Sequence, residues 1–581
     1  MNTDILFITP TAIDTILEES LGTLLLATIL KNNNFQVKLL RHFEIGDPCN
    51  FNEFLASADE QIVAIAPKII SFYTRCDTYH ISLKIAERIK TLLPDTYVVF
   101  AGPQADISAA DTIHEMPFVD FVCCGEGETT IVPLVSSLTK KKPDLSIPGL
   151  VYRKGNEVIQ NPRPELLQDL NNLPMVDYAI AGVSENQNNP LDDRFRFPID
   201  VGRGCPFGCT YCSTKTFWGR KYRLKSPERI IAEIKDVHQR FGITSYAFNH
   251  DMFTMNKRQV LNTCKLLKKL DFPLIWRCSA RLDCIDKEMI DVMADCGLAN
   301  LYFGVESGSP RMQKLMNKNL KLDQVMSILS YVQAKNIKMT VSFIYGVPEE
   351  TEDDVSQTIT LISKIARLKG VAIQTHLCTF LPGTELSTRY IDQMTPAETL
   401  SDITGTTAVT ECRDLINAHP KLFQHFMEYK TELRYKLRFF STFIKVWRNL
   451  LPVYQYISEK YDENHLIEMY YDFVNANIDL LEKTKDDSPR EQYTKVINDE
   501  RFVRSFAGDK HYDLMADYCR LKGTTLSLSI GESAKEIVCF SPSDLDNGIL
   551  LQDCKRAIVL VTCVRKENGN VKKTQVILSQ L

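Results

Sequence analysis

Three cysteines stand close together in the stretch Gly202-Arg-Gly-Cys205-Pro-Phe-Gly-Cys209-Thr-Tyr-Cys212, at the spacing C-x3-C-x2-C. Two or three residues between ligands let each Sγ turn back toward a common centre, and Gly204 and Gly208 let the backbone fold tightly over it. Thiolates are soft ligands, suited to iron–sulfur clusters or zinc. A cubic 4Fe–4S cluster takes four thiolates, so a local set of three leaves one iron open to another ligand. Structural zinc usually takes four protein ligands in paired C-x2-C or Cys/His spacing. The chain has no second C-x2-C, so His238 or His250 would have to complete a zinc site. Packed structural cysteines are the third alternative.

The aromatic Tyr211 directly precedes the third cysteine. The resulting C-x3-C-x-(aromatic)-C pattern resembles the signature of the radical S-adenosylmethionine (SAM) enzymes. The resemblance implies that Cys205, Cys209 and Cys212 hold a 4Fe–4S cluster whose open iron chelates the amino and carboxylate groups of SAM. It further implies that reduction splits SAM and yields a 5′-deoxyadenosyl radical that abstracts a hydrogen atom.

Residues 196–390 must position that loop. Strand patterns recur at Phe197–Val201, Ser245–Phe248, Leu274–Cys278, Asn300–Gly304, Lys338–Phe343 and Ala372–Thr379. Helical patterns fall between them, near Pro227–Phe241, Lys257–Lys269, Lys287–Asp295, Leu322–Lys335 and Glu352–Leu368. Six βα units predict a partial barrel, similar to the (β/α)6 fold of radical SAM enzymes. Chemistry in β/α barrels sits at the carboxyl ends of the strands, and the cysteine loop follows the first of them. The other strand ends are then candidate SAM contacts: Asn249 and Asp251, Ser279 and Arg281, Gly304, Glu306 and Ser307, and Gly346, together with Tyr211. Glu306 would accept hydrogen bonds from ribose or ammonium, and Arg281 would pair with a carboxylate. Each polar residue taken alone also fits a turn or cap. Lys215, Arg220, Lys221, Arg223 and Lys225, with Phe217, Trp218 and Tyr222 among them, form either a solvated basic loop or a lid over an acidic ligand.

Residues 1–145 alternate apolar runs (Ile5–Thr9, Val37–Leu40, Ile62–Pro67, Tyr97–Ala101, Phe118–Cys123) with amphipathic stretches such as Leu21–Lys31 and Thr78–Leu93. This is the rhythm of a doubly wound parallel sheet, which binds ligands beyond the carboxyl ends of its strands. Ser20-Leu-Gly22, Ala101-Gly-Pro103 and Cys124-Gly-Glu-Gly-Glu128 resemble the Rossmann-like cobalamin-binding domain that precedes many radical SAM domains. The resemblance implies cobalamin contacts at Thr9, Pro10, Gly22, Gly102, Gln104, Gly125 and Glu126. One departure stands out: no histidine lies between Thr9 and Ser20, and His42 lacks the D-x-H-x-x-G setting. Histidine ligation of cobalt from this loop is therefore not expected. A domain that has lost its ligand is the alternative. Cys123 and Cys124 read as structural, and Cys49, Cys76, Cys123 and Cys124 make no convincing second cluster of the methylthiotransferase kind.

Residues 146–195 read as a linker with a small hairpin, Ile147–Tyr152 and Glu157–Ile159, followed by a polar loop at Glu185–Asp193. Residues 391–500 read as a helical region with an apolar stripe at Phe439–Trp447, and residues 501–581 as a small β-containing unit. That unit would comprise Thr525–Ile530, Glu536–Phe540 and a hairpin of Ala557–Val564 with Thr574–Leu578 about Asn568-Gly569.

The chain has 581 residues, a net charge of −5 and 17 cysteines without disulfide rhythm. Length predicts several domains. Charge argues against a nucleic-acid partner, and cysteine usage suits a reducing compartment. No signal peptide or long apolar span is visible, so a cytoplasmic location is expected. The combined expectation is a cobalamin-dependent radical SAM enzyme that transfers a methyl group to an unactivated carbon. Its substrate would be a peptide or small molecule, and its reductant a flavodoxin or ferredoxin. The alternatives are radical cyclisation, oxidation or rearrangement without methylation, and a non-catalytic metal- or cofactor-binding protein.

Overall fold

The computed structural model describes residues 3–9, 21–47, 50–183, 197–401 and 407–449, parts of 470–483, and the backbone of Val559–Glu567 and Asn570–Leu578. The expected strands Thr525–Ile530 and Glu536–Phe540 and the polar loop Glu185–Asp193 lie outside the described residues.

The first sheet has seven strands: β1 (Ile5–Thr9), β2 (Val37–Arg41), β3 (Ile69–Tyr73), β4 (Tyr97–Ala101), β5 (Phe121–Cys123), β6 (Leu150–Lys154) and β7 (Glu157–Gln160). Their order is β2-β1-β3-β4-β5-β6-β7. β1 to β5 pair in parallel, and β6 and β7 extend the edge antiparallel. The hairpin expected in the linker therefore belongs to the sheet itself. β1 is wholly buried, with helices covering both faces, which is why it reads as an unbroken apolar run.

One strand is displaced from its expected place. Phe51, Phe54, Leu55, Ala58 and Ile62 repeat at helical spacing, and the helix they bury runs through Ile65. Ala66 closes it in the left-handed region, at φ 46°. The strand is β3, so its carboxyl end is Tyr73-Thr74 and not Pro67-Lys68.

The second sheet is wholly parallel. It comprises β8 (Phe197–Asp200), β11 (Ser245–Asn249), β12 (Ile275–Ala280), β13 (Leu298–Glu306), β14 (Lys338–Tyr345) and β15 (Val371–Leu377), in the linear order β15-β14-β13-β12-β11-β8. Helices such as Pro227–Phe241 and Glu352–Ala366 connect the strands. The order leaves β8 and β15 as edges, the open barrel that six βα units predict. Between β8 and β11 the short strands β9 (Gly202–Arg203) and β10 (Arg223–Leu224) pair antiparallel and frame the cysteine loop. Phe248, Phe253 and Trp276 stack in the barrel core; each such burial contributes about 1.5–3 kcal/mol.

Beyond the barrel the chain returns to the first module. β16 (Thr395–Pro396) pairs with β17 (Met427–Glu428). Leu422, Phe423 and Phe426 enter the core that holds Tyr79 and Phe100. The helix Phe440–Asn449, which carries the apolar stripe, packs on the barrel: Phe440 meets Tyr345 at 5.0 Å, and the Ser441 hydroxyl donates to the Thr375 carbonyl. The terminal hairpin forms as β18 (Val559–Glu567) and β19 (Asn570–Leu578). Among the described residues no helix is long and apolar enough to cross a membrane.

Candidate functional site

The carboxyl ends of the two parallel sheets face one cavity of about 720 Å³, within the usual range of about 300–1,000 Å³ for small-molecule sites. One wall carries Cys205, Cys209 and Cys212, and the other is built from the ends of β3, β4 and β5.

The cysteine loop is tied down from several sides. The Gly204 N–H donates to Asp251 (3.0 Å), Thr210 N–H donates to the Met316 carbonyl (3.0 Å), and the Asn317 amide donates to the Gly208 carbonyl (2.9 Å). Gly204 sits at φ +81°, and a Cβ there would lie 2.0 Å from the Lys221 carbonyl oxygen, so glycine is required. At Gly208 the atoms nearest a Cβ belong to the Arg220 guanidinium, the end of a flexible side chain. Burial, with Cys212, Asp251 and Cys209 nearby, pushes the Cys205 thiol up to about 11, and burial raises Cys212 as well. Such thiols ionise when a metal takes the place of the proton. Among the described residues no group of three or more His, Cys, Asp and Glu is gathered tightly enough to hold a single metal ion.

Neither histidine considered for zinc is poised to join the loop. His250 accepts from the Met252 N–H at Nδ1 (2.6 Å) and donates from Nε2 to the Arg223 carbonyl (3.4 Å). Burial lowers it to about 4, so the ring is neutral. His238 is stacked on Phe272 and bonded to the Ile243 carbonyl.

Of the expected SAM contacts, Tyr211, Asn249, Asp251, Ser279, Arg281, Gly304 and Glu306 line the cavity. Glu306 lies at φ +69°, where β13 shifts register against β14. Side chains held in that region are uncommon and concentrate at functional sites. Its carboxylate accepts from Tyr211 (3.1 Å) and pairs with Lys318 (3.1 Å). Gly304 makes room for this pair, since a Cβ there would lie 2.2 Å from Glu306 Oε1.

Two expected contacts turn away. The Ser307 hydroxyl is buried against Thr358 Oγ1 (3.0 Å). Gly346 gives its N–H to Glu350 and its carbonyl to Arg434, in the packing beneath β14. Arg281 faces the cavity but is not available to grip a carboxylate ligand, because Asp283 already occupies its fork.

On the opposite wall Gly22, Gly102, Gly125 and Glu126 line the cavity, with Ser71, Tyr73, Val99, Ala101 and Cys123. Gly102 is dictated by the chain itself, since a Cβ there would meet the Thr74 backbone at 2.7 Å. Gln104 does not contribute; its amide donates to the Leu422 carbonyl in the returning segment. Thr9 is buried at the end of β1 and does not line the cavity, and Pro10 lies outside the described residues.

Glu126 serves the joint between the modules. It accepts from Arg203 (2.6 Å), Arg223 (2.8 Å) and the Leu167 N–H (2.7 Å), while Glu128 takes the other arm of Arg203 (2.6 Å). The indole of Trp218 lies against both guanidiniums. Part of the basic loop is thus turned inward: Arg223 reaches Glu126 and Lys225 is buried against Glu233 and Asp200, whereas Lys215 pairs with Glu385 near the surface and Arg220 and Lys221 are exposed. Phe217 and Trp218 project into the cavity.

The B12 binding domain profile matches residues 17–135, and the Radical SAM superfamily profile matches residues 199–362. The chain carries a radical SAM domain and a B12-binding domain. The B12-binding match takes in β2 to β5 of the first sheet, and the radical SAM match runs from within β8 through β14 of the second. An uncharacterized methyltransferase of Pyrococcus horikoshii is 29% identical over 302 residues, covering 52% of this chain and 64% of that protein. The anaerobic magnesium-protoporphyrin IX monomethyl ester cyclase of Cereibacter sphaeroides is 23% identical over 313 residues, covering 53% of this chain and 50% of its own length. The chain thus spans about half to two thirds of these two relatives. The fold is shared with the cobalamin-dependent SAM radical enzyme OxsB, solved with aqua-cobalamin and SAM, at a TM-score of 0.57 and 16% identity over 89% of this chain and 75% of that one.

Lys318 is the site residue that motif reading overlooks. It lies 12 positions beyond its partner Glu306. The turn of chain through Pro310–Leu315 brings it back, and no short motif marks that return.

Proposed function

We propose that this radical SAM protein transfers a methyl group from SAM, by way of cobalamin, to an unactivated carbon. The observation that carries the reading is the single cavity with the cysteine trio on one wall and the strand ends of the B12-binding module on the other. The donor set fits: three thiols for a cluster with one open iron, and a floor of small residues, Ser71, Val99, Ala101, Gly102 and Cys123, that lets a large planar cofactor approach the backbone. Held there, the cluster with SAM would supply radical formation at carbon, and cobalamin would supply a transferable methyl.

The chain's own residues bind, orient and shield. Glu306 and Lys318 present a negative and a positive group side by side, matching the amino and carboxylate groups of an amino-acid ligand end. Tyr211 fixes the Glu306 carboxylate from the cysteine loop. Phe217 and Trp218 exclude water at the junction of the walls. No acid–base pair is needed, and none is assigned. Electrons would come from a low-potential protein such as flavodoxin or ferredoxin.

Anaerobically reconstituted protein should bind cobalamin, with cobalt and chain in equal amounts. With SAM carrying a trideuterated methyl group it should yield 5′-deoxyadenosine and S-adenosylhomocysteine together, and an acceptor heavier by that methyl. Deoxyadenosine without S-adenosylhomocysteine, in the presence of a turned-over acceptor, would instead favour radical cyclisation, oxidation or rearrangement, the reading that the cyclase relative supports.

A further inference from the structure

We propose that Arg281 is a fixed hydrogen-bond donor to the Cys209 sulfur and sets the reduction potential of the cluster held by the cysteine loop. The inference rests on the reading of Cys205, Cys209 and Cys212 as cluster ligands.

Arg281 is buried at the end of β12. Its Nε and Nη2 donate to the two oxygens of Asp283, at 2.9 and 2.8 Å, and Nη2 also donates to the Lys318 carbonyl at 2.8 Å. The guanidinium lies over the ring of Phe207, 3.8 Å from its centroid, inside the cysteine loop. With the group held by its fork and its face, Nη1 is directed at Cys209 Sγ, 3.8 Å away, an ordinary reach for a sulfur acceptor. Rotating it away would break a charged, bidentate contact in a buried setting, so the donor is preorganised.

The guanidinium remains charged at any working pH. A positive donor at a ligand sulfur stabilises the cluster state that carries the extra electron. Hydrogen bonds to the sulfurs are one of the levers that set iron–sulfur potentials. Arg281 is therefore a positioning residue that acts through Cys209, and it makes one-electron reduction easier. Lys318 is left as the cation that faces the ligand end of the cavity.

The test is an anaerobic redox titration of the reconstituted full chain, followed by electron paramagnetic resonance of the reduced cluster, with iron and sulfide measured on each sample. Arg281→Met should lower the equilibrium constant for one-electron reduction at least tenfold, about 59 mV toward more negative potential. Arg281→Lys, which keeps a charge without the fork, should fall between Arg281→Met and the wild type. Arg281→Gln, which keeps a neutral donor without the charge, should likewise fall between Arg281→Met and the wild type. Should Arg281→Met fail to retain iron, the Arg281→Lys and Arg281→Gln variants carry the comparison. Variants that hold the wild-type iron content at the wild-type potential would overturn the role. A wild-type chain that assembles no cluster would instead refute the ligand reading beneath it.

Discussion

Glu126 joins the two modules, and its removal is the sharpest structural prediction. The carboxylate is buried, with 2% of its side chain exposed, and the two guanidiniums it meets are 10% and 9% exposed. Arg203 keeps Glu128 when Glu126 is lost. Arg223 loses its carboxylate partner and already carries Nε and Nη2 buried without a hydrogen-bond partner. Leaving a buried charge uncompensated costs about 3–5 kcal/mol, whereas Glu128→Ala removes one charged hydrogen bond, worth about 1.5–3 kcal/mol. With a denaturant slope of about 2 kcal/mol/M, Glu126→Ala should lower the urea midpoint by about 1.5–2.5 M. Trp218 lies on both guanidiniums, so the fluorescence change that Trp218→Phe removes reports the joint. Burial alone would raise the Glu126 carboxyl, but Arg223 and Arg203 hold it below the usual carboxylate value. Below the unfolded value the unfolded state binds more protons than the folded one, so stability rises with pH there. The contribution is present above the ordinary carboxylate pKa and is lost as pH falls through the folded one. The wild type should show that acid loss, and Glu126→Ala should lack it. A Glu126→Ala midpoint no lower than that of Glu128→Ala would refute the reasoning.

Three further outcomes follow from local geometry. Burial pushes Glu350 up to about 8 while its Oε2 accepts the Gly346 N–H. Between the ordinary carboxylate value and about 8 the folded state therefore holds a proton that the unfolded state lacks, and stability should fall by about 1.4 kcal/mol per pH unit as pH rises. Glu350→Gln should remove that slope in pH-dependent unfolding. Gly204→Ala, with its Cβ 2.0 Å from a backbone oxygen, should abolish iron incorporation, whereas Gly208→Ala, whose nearest obstacle is the Arg220 side chain, should retain most of it; equal iron contents would contradict the distinction. Lys318→Met should weaken SAM and S-adenosylhomocysteine at least tenfold by calorimetry, yet leave methylthioadenosine, which lacks the amino-acid end, unaffected.

Much of the architecture was legible because its signals are local. The cysteine spacing, the βα alternation and the Asn568-Gly569 turn each fit within a few residues, and the strand ends of the barrel follow from where its apolar runs stop. Ile62–Pro67 misled because a short apolar run at a helix end looks like a strand; only the spacing back to Phe51 distinguishes them. Residues whose partners lie far along the chain could not be placed. Gln104 meets Leu422, Ser307 meets Thr358 and Glu126 meets Arg223, and in each case a polar residue at a strand end serves packing or the joint. Arg281 was legible as a cation at the site, but its commitment to Asp283 and Cys209 depends on side-chain direction, which periodicity does not carry.

The most direct measurement is SAM cleavage by the anaerobically reconstituted chain, wild type against Cys209→Ala, with iron and sulfide counted in the same samples. About four of each per chain, reductive formation of 5′-deoxyadenosine by the wild type, and loss of both in the variant are the predicted results. Zinc in place of iron in anaerobically purified protein, or a variant that cleaves SAM as fast as the wild type, would contradict the assignment of the three thiolates.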